Sequence, residues 1–263
     1  MSKGFSKLII KSFVFITLLS VLITNVAGIK TSSAKQRTML NSKSTASNLL
    51  AFDNYISQFY NNCNLQLTGL SFPVFQKSMI GYFNLSSKSA INPIKNIVTI
   101  IDFTQPSTVK RMWIIDLKAE KLLLNTLVAH GQGSGDNIPN QFSNIAESHQ
   151  SSLGFYVTDE VYFGKHGLSL KLEGLDEGIN SLAKSRSIVV HGASYVSESF
   201  IKSHGRLGRS HGCPAVPEEL NNQIIDIIKN KTMLYINGTN QIVSKHLNQQ
   251  IANNMILSSK KSI

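Results

Sequence analysis

The 263-residue sequence contains only two cysteines and no run of five or more lysines and arginines. It also lacks zinc-finger spacing and any stripe of alternating aromatic and basic residues. The formal net charge of +11 is scattered along the chain, which is typical of a solvated basic surface and does not predict a nucleic-acid partner. The apolar fraction of 42% is normal, so we expect a hydrophobic core rather than a disordered or fibrous chain.

The N-terminus has the pattern of a secretory signal over residues 1–28. Three lysines precede an apolar stretch from Phe13 to Val26, and small residues follow it. The stretch is short for a membrane span, which needs about 20 apolar residues, although an uncleaved anchor stays an alternative. No cysteine precedes Cys63, which excludes a lipoprotein signal. We therefore expect an exported protein, with membrane contact only through an uncleaved N-terminal segment.

Two segments separate the signal from the main domain. Residues 29–47 are rich in Ser and Thr and poor in apolar residues, so they are predicted as a flexible linker. Residues 48–95 are predicted as a helical segment with one helix from about Leu49 to Cys63. A second helix is predicted from Ser71, as N-cap, to about Phe83.

Residues 96–238 are predicted as one catalytic domain of the α+β class, mostly β, with one helix packed late in the chain. Pro217 opens that helix, and Ile224 and Ile228 belong to its apolar stripe. The predicted strands are Ile97–Phe103, Arg111–Leu117, Lys121–Val128, Phe155–Thr158, Val161–Phe163, Leu168–Leu172, Ser187–Val190 and Met233–Ile236. Trp113 alternates with apolar neighbours and is expected in the core, and residues 239–263 are predicted as a polar tail.

Cys213 is a candidate nucleophile because it lies in a polar, glycine-rich loop downstream of a histidine at a strand end, His191. A thiol with a pKa near 8.5 needs a neighbouring base or positive charge to attack at neutral pH. Glycines allow backbone N–H groups to approach a developing oxyanion. A buried cysteine with hydrogen-bonded histidines fits the same residues. Cys63 has the helical spacing of a core side chain, and a disulfide between the two cysteines stays open.

Two other chemistries fit parts of this region. Gly208 to Gly212 matches the nucleophile elbow of α/β-hydrolases, but no buried strand precedes it. A zinc site would need His191, His204, His211 and Cys213, whose spacings are awkward for one metal. We take His204 as a solvated loop residue instead.

His191-Gly192 followed by Ser210-His211-Gly212-Cys213 resembles the signature of the L,D-transpeptidase catalytic domain (YkuD) family. Further blocks resemble its murein L,D-transpeptidase branch, and the resemblance covers about residues 97–236. These blocks are Ile101–Phe103, Ala129–Gly131, Ser134–Gly135, Phe142–Asn144, Ser151–Gly154 and Gly205–Ser210. The sequence departs from the wider family after the cysteine, where Pro214 and Ala215 stand.

The resemblance implies peptidoglycan stem-peptide acyl transfer through a cysteine thioester, with L,D-transpeptidase and possible L,D-carboxypeptidase outcomes and no metal or organic cofactor. Cys213 would be the nucleophile and His191 the general base. Ser210, His211 and Gly212 would shape the loop, and the N–H groups of Gly212 and Cys213 would hold the oxyanion.

The resemblance further implies that Arg206 and Arg209 contact a substrate carboxylate or an adjacent wall peptide. His130 and Gly192 are two more candidate substrate-binding residues, although His130 also fits a strand-end histidine bonded to backbone. The partner that the resemblance implies is the peptidoglycan stem peptide. Together with the export signal, the resemblance implies the periplasm or cell envelope of a bacterium. The alternative function is a catalytically silent peptidoglycan-binding protein on the same scaffold.

Overall fold

The computed structural model describes residues 51–260. The predicted signal at residues 1–28 and the predicted linker at residues 29–47 lie outside the described residues. The described residues belong to one compact unit. Between residues 51 and 260, no helix is both long and apolar enough to cross a membrane.

A mixed sheet of eight strands forms the centre of the described chain. The strands are β1 (Ile97–Asp102), β2 (Met112–Asp116), β3 (Lys121–Thr126), β4 (Gly154–Gly164), β5 (Gly167–Gly174), β6 (Val189–Ala193), β7 (Ala215–Pro217) and β8 (Met233–Asn237). Their order across the sheet is β3-β2-β1-β8-β4-β5-β6-β7. The β1–β8 and β6–β7 pairs are parallel, and the other pairs are antiparallel.

Five α-helices accompany this sheet in the described chain. They are α1 (residues 51–62), α2 (Phe72–Ser87), α3 (Glu198–His204), α4 (Asn221–Ile228) and α5 (Gln249–Lys260). Short 3₁₀ helices occur at Leu65–Thr68, Gln132–Ser134 and Glu218–Leu220. The predicted α+β class, mostly β with a late helix, is confirmed.

The central strands are buried on both faces because helices cover both sides of the sheet. In β1, Val98 and Ile100 pack into one core cluster with residues of α1, α2 and α5. Ile101, on the opposite face, packs into a second cluster that contains Ile224 of α4. This alternation follows the two-residue period of a strand, and two covered faces explain why β1 is apolar nearly throughout.

The predicted helical segment shares its core with the sheet. Ser71 is the N-cap of α2 and a proline lies in the first turn, as predicted, although the helix continues to Ser87 rather than ending near Phe83. Phe52 of α1 and Phe75 of α2 belong to the same buried cluster as strand residues. Trp113 is fully buried there, as predicted, and its indole N–H donates to the Thr68 hydroxyl at 2.9 Å.

The structure differs from the sequence prediction at several elements. Strand β7 was not predicted, and Pro217 ends that strand instead of opening the late helix, which begins as α4 at Asn221. The two strands predicted at Phe155–Thr158 and Val161–Phe163 form the single strand β4, with an irregularity in register between Thr158 and Val161. Helices α3 and α5 were not expected, and α5 lies within the segment predicted as a polar tail. His204 is exposed as predicted, but it lies in the last turn of α3 rather than in a loop.

Candidate active site

A cleft of about 560 Å³ lies beside the loop that precedes β7. Five of the nine predicted site residues line it. They are His191, Arg209, Ser210, His211 and Cys213. A larger concavity of about 890 Å³ lies between the β4–β5 hairpin and α4, but its lining contains no cysteine or histidine. The smaller cleft is therefore the candidate active site, because it holds the predicted nucleophile and the predicted base.

The Ser210 hydroxyl fixes the shape of the cysteine loop. It donates to the Cys213 carbonyl at 2.6 Å and accepts from the Gly212 N–H at 3.1 Å. The Ser210 backbone is also tied to the preceding strand region, because its N–H donates to the His130 carbonyl at 3.0 Å and its carbonyl accepts from the Gln132 N–H at 2.8 Å. Ser210 thus orders the loop, whereas its part in catalysis stays a prediction.

Gly212 occupies a position that no other residue fits without strain. Its φ angle is +119°, and a Cβ there would lie 2.8 Å from the Gln150 carbonyl oxygen. The Gly212 N–H is already used by Ser210, so the expectation that it holds an oxyanion is not met in this conformation. Among the hydrogen bonds of the described residues, none has the Cys213 N–H as its donor.

The Cys213 thiol lies half-buried against the segment that leads into β6. Its Sγ accepts a long hydrogen bond from the Val189 N–H at 3.5 Å and donates to the Ser187 carbonyl at 3.6 Å. Burial raises the pKa of the thiol, whereas the Val189 N–H and the nearby Arg186 charge oppose that rise. Cys213 is therefore largely a neutral thiol at neutral pH.

His191 lies in β6, between Ser169 of β5 and Ala215 of β7. Its Nδ1 lies 2.9 Å from the Gly192 carbonyl, which can only accept, so Nδ1 carries the proton and Nε2 carries the lone pair. Burial lowers the pKa of His191 and keeps the imidazole neutral. Within the described residues, the recorded hydrogen bonds of Cys213 Sγ and the His191 ring do not join the two groups to each other.

Two further histidines flank the site on other segments. His166, at the turn of the β4–β5 hairpin, stacks on His191 with ring centroids 4.6 Å apart. His149 stacks on His211 with centroids 4.2 Å apart and planes 10° from parallel. Both pairs line the cleft that contains Cys213, so four imidazole rings from four separate segments of the chain lie around it. Sequence spacing gave no signal for these pairs, because strand pairing brings the segments together.

Sequence reasoning also missed Arg186, which lines the cleft five residues before His191. The guanidinium donates to two carbonyl groups and two hydroxyl groups of residues 143–152. An arginine directly before the strand that carries the base was the available signal. Its partners lie more than 30 residues away in sequence, however, and are not visible from local pattern.

The expectation that His130 contacts substrate is wrong, because its side chain has no exposed surface. Its Nδ1 accepts from the Arg111 guanidinium at 2.9 Å, and its ring packs edge-on against Phe103. Burial, followed by the Arg111 charge, lowers the pKa of His130 to about 3, so the ring stays neutral. The burial of the ring, with Nε2 3.4 Å from the Gly135 carbonyl, favours the alternative of a strand-end histidine bonded to backbone.

Of the three other predicted substrate-binding residues, one lines the cleft and two do not; the three are Arg206, Arg209 and Gly192. Arg206 does not line it, because the guanidinium is held 2.6 Å from the Asp136 carboxylate. Arg209 does line it, while donating to the Gly135 carbonyl at 2.8 Å. Gly192 packs against Asn221, its carbonyl is bonded to His191 Nδ1, and it is not among the residues that line the cleft.

The structure supports neither a disulfide between the two cysteines nor the zinc site suggested at Cys213. Cys63 and Cys213 are both free, so the disulfide is absent. His204 stacks on Phe200 and does not line the cleft with the other residues of the suggested zinc site. Over residues 51–260, no group of three or more potential ligands is arranged to hold a metal ion.

Several solved structures are similar to this chain. An LD transpeptidase, LdtMt1, in complex with imipenem matches at 10% identity and a TM-score of 0.34, covering 54% of this chain and 58% of that chain. An L,D-transpeptidase from Mycobacterium smegmatis matches at 11% identity and a TM-score of 0.33, covering 54% of this chain and 59% of that chain. The helical cell shape determining protein Pgp2 from Campylobacter jejuni matches at 16% identity and a TM-score of 0.38, covering 70% of this chain and 64% of that chain. The chain thus spans less than two thirds of the length of each.

A comparison with curated proteins finds no match. The family model for the L,D-transpeptidase catalytic domain, by contrast, matches residues 66–237. The matched range contains β1 to β8, the cysteine loop and every residue that lines the cleft. Because that range is more than half of the chain, this protein belongs to the L,D-transpeptidase catalytic domain family.

Proposed function

We propose that this protein transfers acyl groups between peptidoglycan stem peptides through a thioester on Cys213. The observation that carries the proposal is the shared cleft of Cys213 and His191, within a domain of the L,D-transpeptidase family. We also infer an extracytoplasmic location, because a stem-peptide substrate lies in the cell wall and the first 28 residues have the pattern of an export signal.

In the first step, Cys213 Sγ attacks the carbonyl of the L-centre that precedes a terminal D-residue. The thiol proton passes to the lone pair on His191 Nε2 as the S–C bond forms. The C–N bond to the D-residue then breaks, and the imidazolium returns the proton to the leaving amine. The product of this step is a thioester on Cys213.

In the second step, an amine of a neighbouring stem peptide attacks the thioester. His191 accepts a proton from that amine, the S–C bond breaks, and the proton returns to the Cys213 sulfur. The result is a cross-link, whereas water in place of the amine gives the L,D-carboxypeptidase product.

The pKa directions favour proton transfer during attack over a resting ion pair. Burial raises the pKa of Cys213 and lowers the pKa of His191, so both groups are mainly neutral at pH 7 before substrate binds. His191 therefore acts as a general base on a thiol. The Cys213 N–H is the proposed oxyanion donor, because the Gly212 N–H is held by Ser210.

The proposal is tested by incubating purified muropeptides with the mature protein and analysing the products by mass spectrometry. We expect loss of a D-residue or a new peptide dimer with the wild-type protein, and neither product with Cys213→Ala. Cys63→Ala is the matched control, because Cys63 lies outside the cleft and its loss removes the other thiol. Turnover that persists in Cys213→Ala would exclude the thioester.

A second function, wall binding without turnover, is favoured by one observation. In the resting state the Cys213 thiol donates to the Ser187 carbonyl rather than to the free Nε2 of His191, so its proton is not directed at the base. Incubation with a carbapenem separates the two functions. An adduct on Cys213 supports catalysis, whereas peptidoglycan sedimentation of the protein without any adduct supports binding alone.

A further inference from the structure

Arg186 connects one wall of the cleft to the strand that carries the base. Its two terminal nitrogens donate four hydrogen bonds, and every acceptor belongs to residues 143–152. These acceptors are the carbonyl oxygens of Ser143 (2.7 Å) and Gln150 (2.7 Å) and the hydroxyls of Ser148 (3.3 Å) and Ser152 (2.6 Å). A planar guanidinium can satisfy such a set of acceptors at once, which a lysine ammonium cannot.

The segment held by Arg186 contacts the cysteine loop directly. The Ser151 hydroxyl donates to the Gly212 carbonyl at 3.2 Å, and His149 stacks on His211. The space beside Gly212 is closed by the Gln150 carbonyl and by Arg186 itself, whose nitrogen would lie 3.4 Å from a Cβ at that position. Movement of Arg186 would therefore loosen the surroundings of Cys213 as well as the wall.

The charge of Arg186 also acts on the sulfur. Burial raises the pKa of the Cys213 thiol, and Arg186 is the cationic side chain that opposes this rise, next to the Val189 N–H. Lys165, His166 and Arg209 also line the cleft and are left intact in the variants below. Lys184 lies two residues before Arg186, but it is exposed and paired with Asp159 at 3.0 Å. It provides a matched control for the loss of one positive charge.

We propose that Arg186 is a positioning residue for the acyl transfer. It fixes residues 143–152 against the Cys213 loop, and it keeps a positive charge beside Sγ while the thiolate develops. This inference rests on the proposed function, since a positioning role has meaning only if Cys213 reacts. Its test nevertheless uses the reactivity of the thiol, which does not require a wall substrate.

The first experiment measures the rate of Cys213 alkylation by iodoacetamide against pH in wild type, Arg186→Gln and Lys184→Gln, all on a Cys63→Ala background. We expect the midpoint to rise by about one pH unit in Arg186→Gln, with a rate about tenfold lower below the midpoint. Lys184→Gln keeps the wild-type midpoint. An unchanged midpoint in Arg186→Gln, or an equal shift in both variants, overturns the proposal.

The second experiment uses Arg186→Lys, which keeps the positive charge but loses the planar guanidinium with its several donors. This variant carries the test if Arg186→Gln does not fold. We expect the alkylation midpoint to stay within about 0.3 pH unit of wild type. We also expect faster amide hydrogen exchange over residues 143–152 and a lower kcat/KM for muropeptides. Unchanged exchange over that segment overturns the clamping role.

These results separate the inference from the proposed function. If wild type yields no muropeptide product but Arg186→Gln still shifts the alkylation midpoint, the acyl transfer fails while the effect of Arg186 on Cys213 stands. If wild type turns over and the midpoint does not move, the acyl transfer stands and the role of Arg186 fails.

Discussion

Cys63 lies at the end of the first helix, half-buried against the aromatic cluster of α1 and α2, whereas Cys213 lies half-buried in the cleft. Burial and the Glu120 carboxylate together raise the pKa of Cys63 to about 11. Burial raises the pKa of Cys213 too, but a backbone N–H and a guanidinium oppose it. We therefore expect the same side chain to be inert in one region and reactive in the other, because the cleft places donors, a cation and a histidine around Cys213.

The largest expected effect separates these regions by turnover. His191→Ala should lower the rate of muropeptide conversion by about 10²–10⁴-fold, because the thiol loses its proton acceptor. Cys63→Ala should stay within about twofold of wild type, since Cys63 touches no reacting atom. Initial rates from mass spectrometry measure both. A His191→Ala enzyme with wild-type turnover would mean that another group accepts the proton.

A smaller difference should appear in thiol reactivity. At pH 8 the Cys63 thiolate fraction is about 10⁻³, given its pKa of about 11. We expect Cys213 to be alkylated at least about tenfold faster than Cys63, since the donors around its sulfur stabilise the thiolate. Timed iodoacetamide labelling followed by peptide mass spectrometry gives both rates in one sample. Faster labelling of Cys63 would invalidate the contrast between the regions.

The smallest expected effect concerns stability beneath the cleft. The pKa of His130 is lowered from 6.5 to about 3 in the folded state, so below pH 6.5 the unfolded chain binds the extra proton. The contribution of His130 to the free energy of unfolding is therefore present above pH 6.5 and lost as the pH falls towards 3. The loss from this group is about 1 kcal/mol between pH 6.5 and about 5.5. Urea unfolding at several pH values measures the slope.

His130→Gln is the control for that slope. The glutamine amide can accept from Arg111 and does not titrate. In this variant, the slope of the free energy of unfolding against pH should therefore fall by the contribution of about one proton. An unaltered slope would assign the acid sensitivity to other buried histidines, of which His191 and His246 also have lowered pKa values.

Sequence pattern predicted the elements whose apolar residues recur with a clear period. The strands β1, β2 and β8 and the helix α2 were found because their faces are covered and their buried residues follow the period of the element. Helix α3 was missed because none of its residues is buried, so no apolar stripe marks it. Helix α5 was missed because most of its residues are polar, although Ala252 and Ile256 are buried.

The candidate site divides in the same way. Cys213, His191 and Ser210 were predicted from one loop and one strand end, and all three line the cleft. His130 was assigned to substrate because its sequence neighbours resemble a cleft edge, but burial beside Arg111 is a tertiary fact. Arg186 was missed because its four acceptors come from a segment more than 30 residues upstream.

By itself, the sequence determined the class of the fold and indicated the two chemical groups of the proposed reaction. These depend on local periodicity, residue type and backbone conformation, which neighbouring residues specify. Only the tertiary structure decided which N–H of the cysteine loop is held by Ser210, which histidine is buried and which cation stands beside the sulfur. Those properties depend on pairing between distant strands, because burial, charge and hydrogen-bond partners are set by what packs against a residue in space.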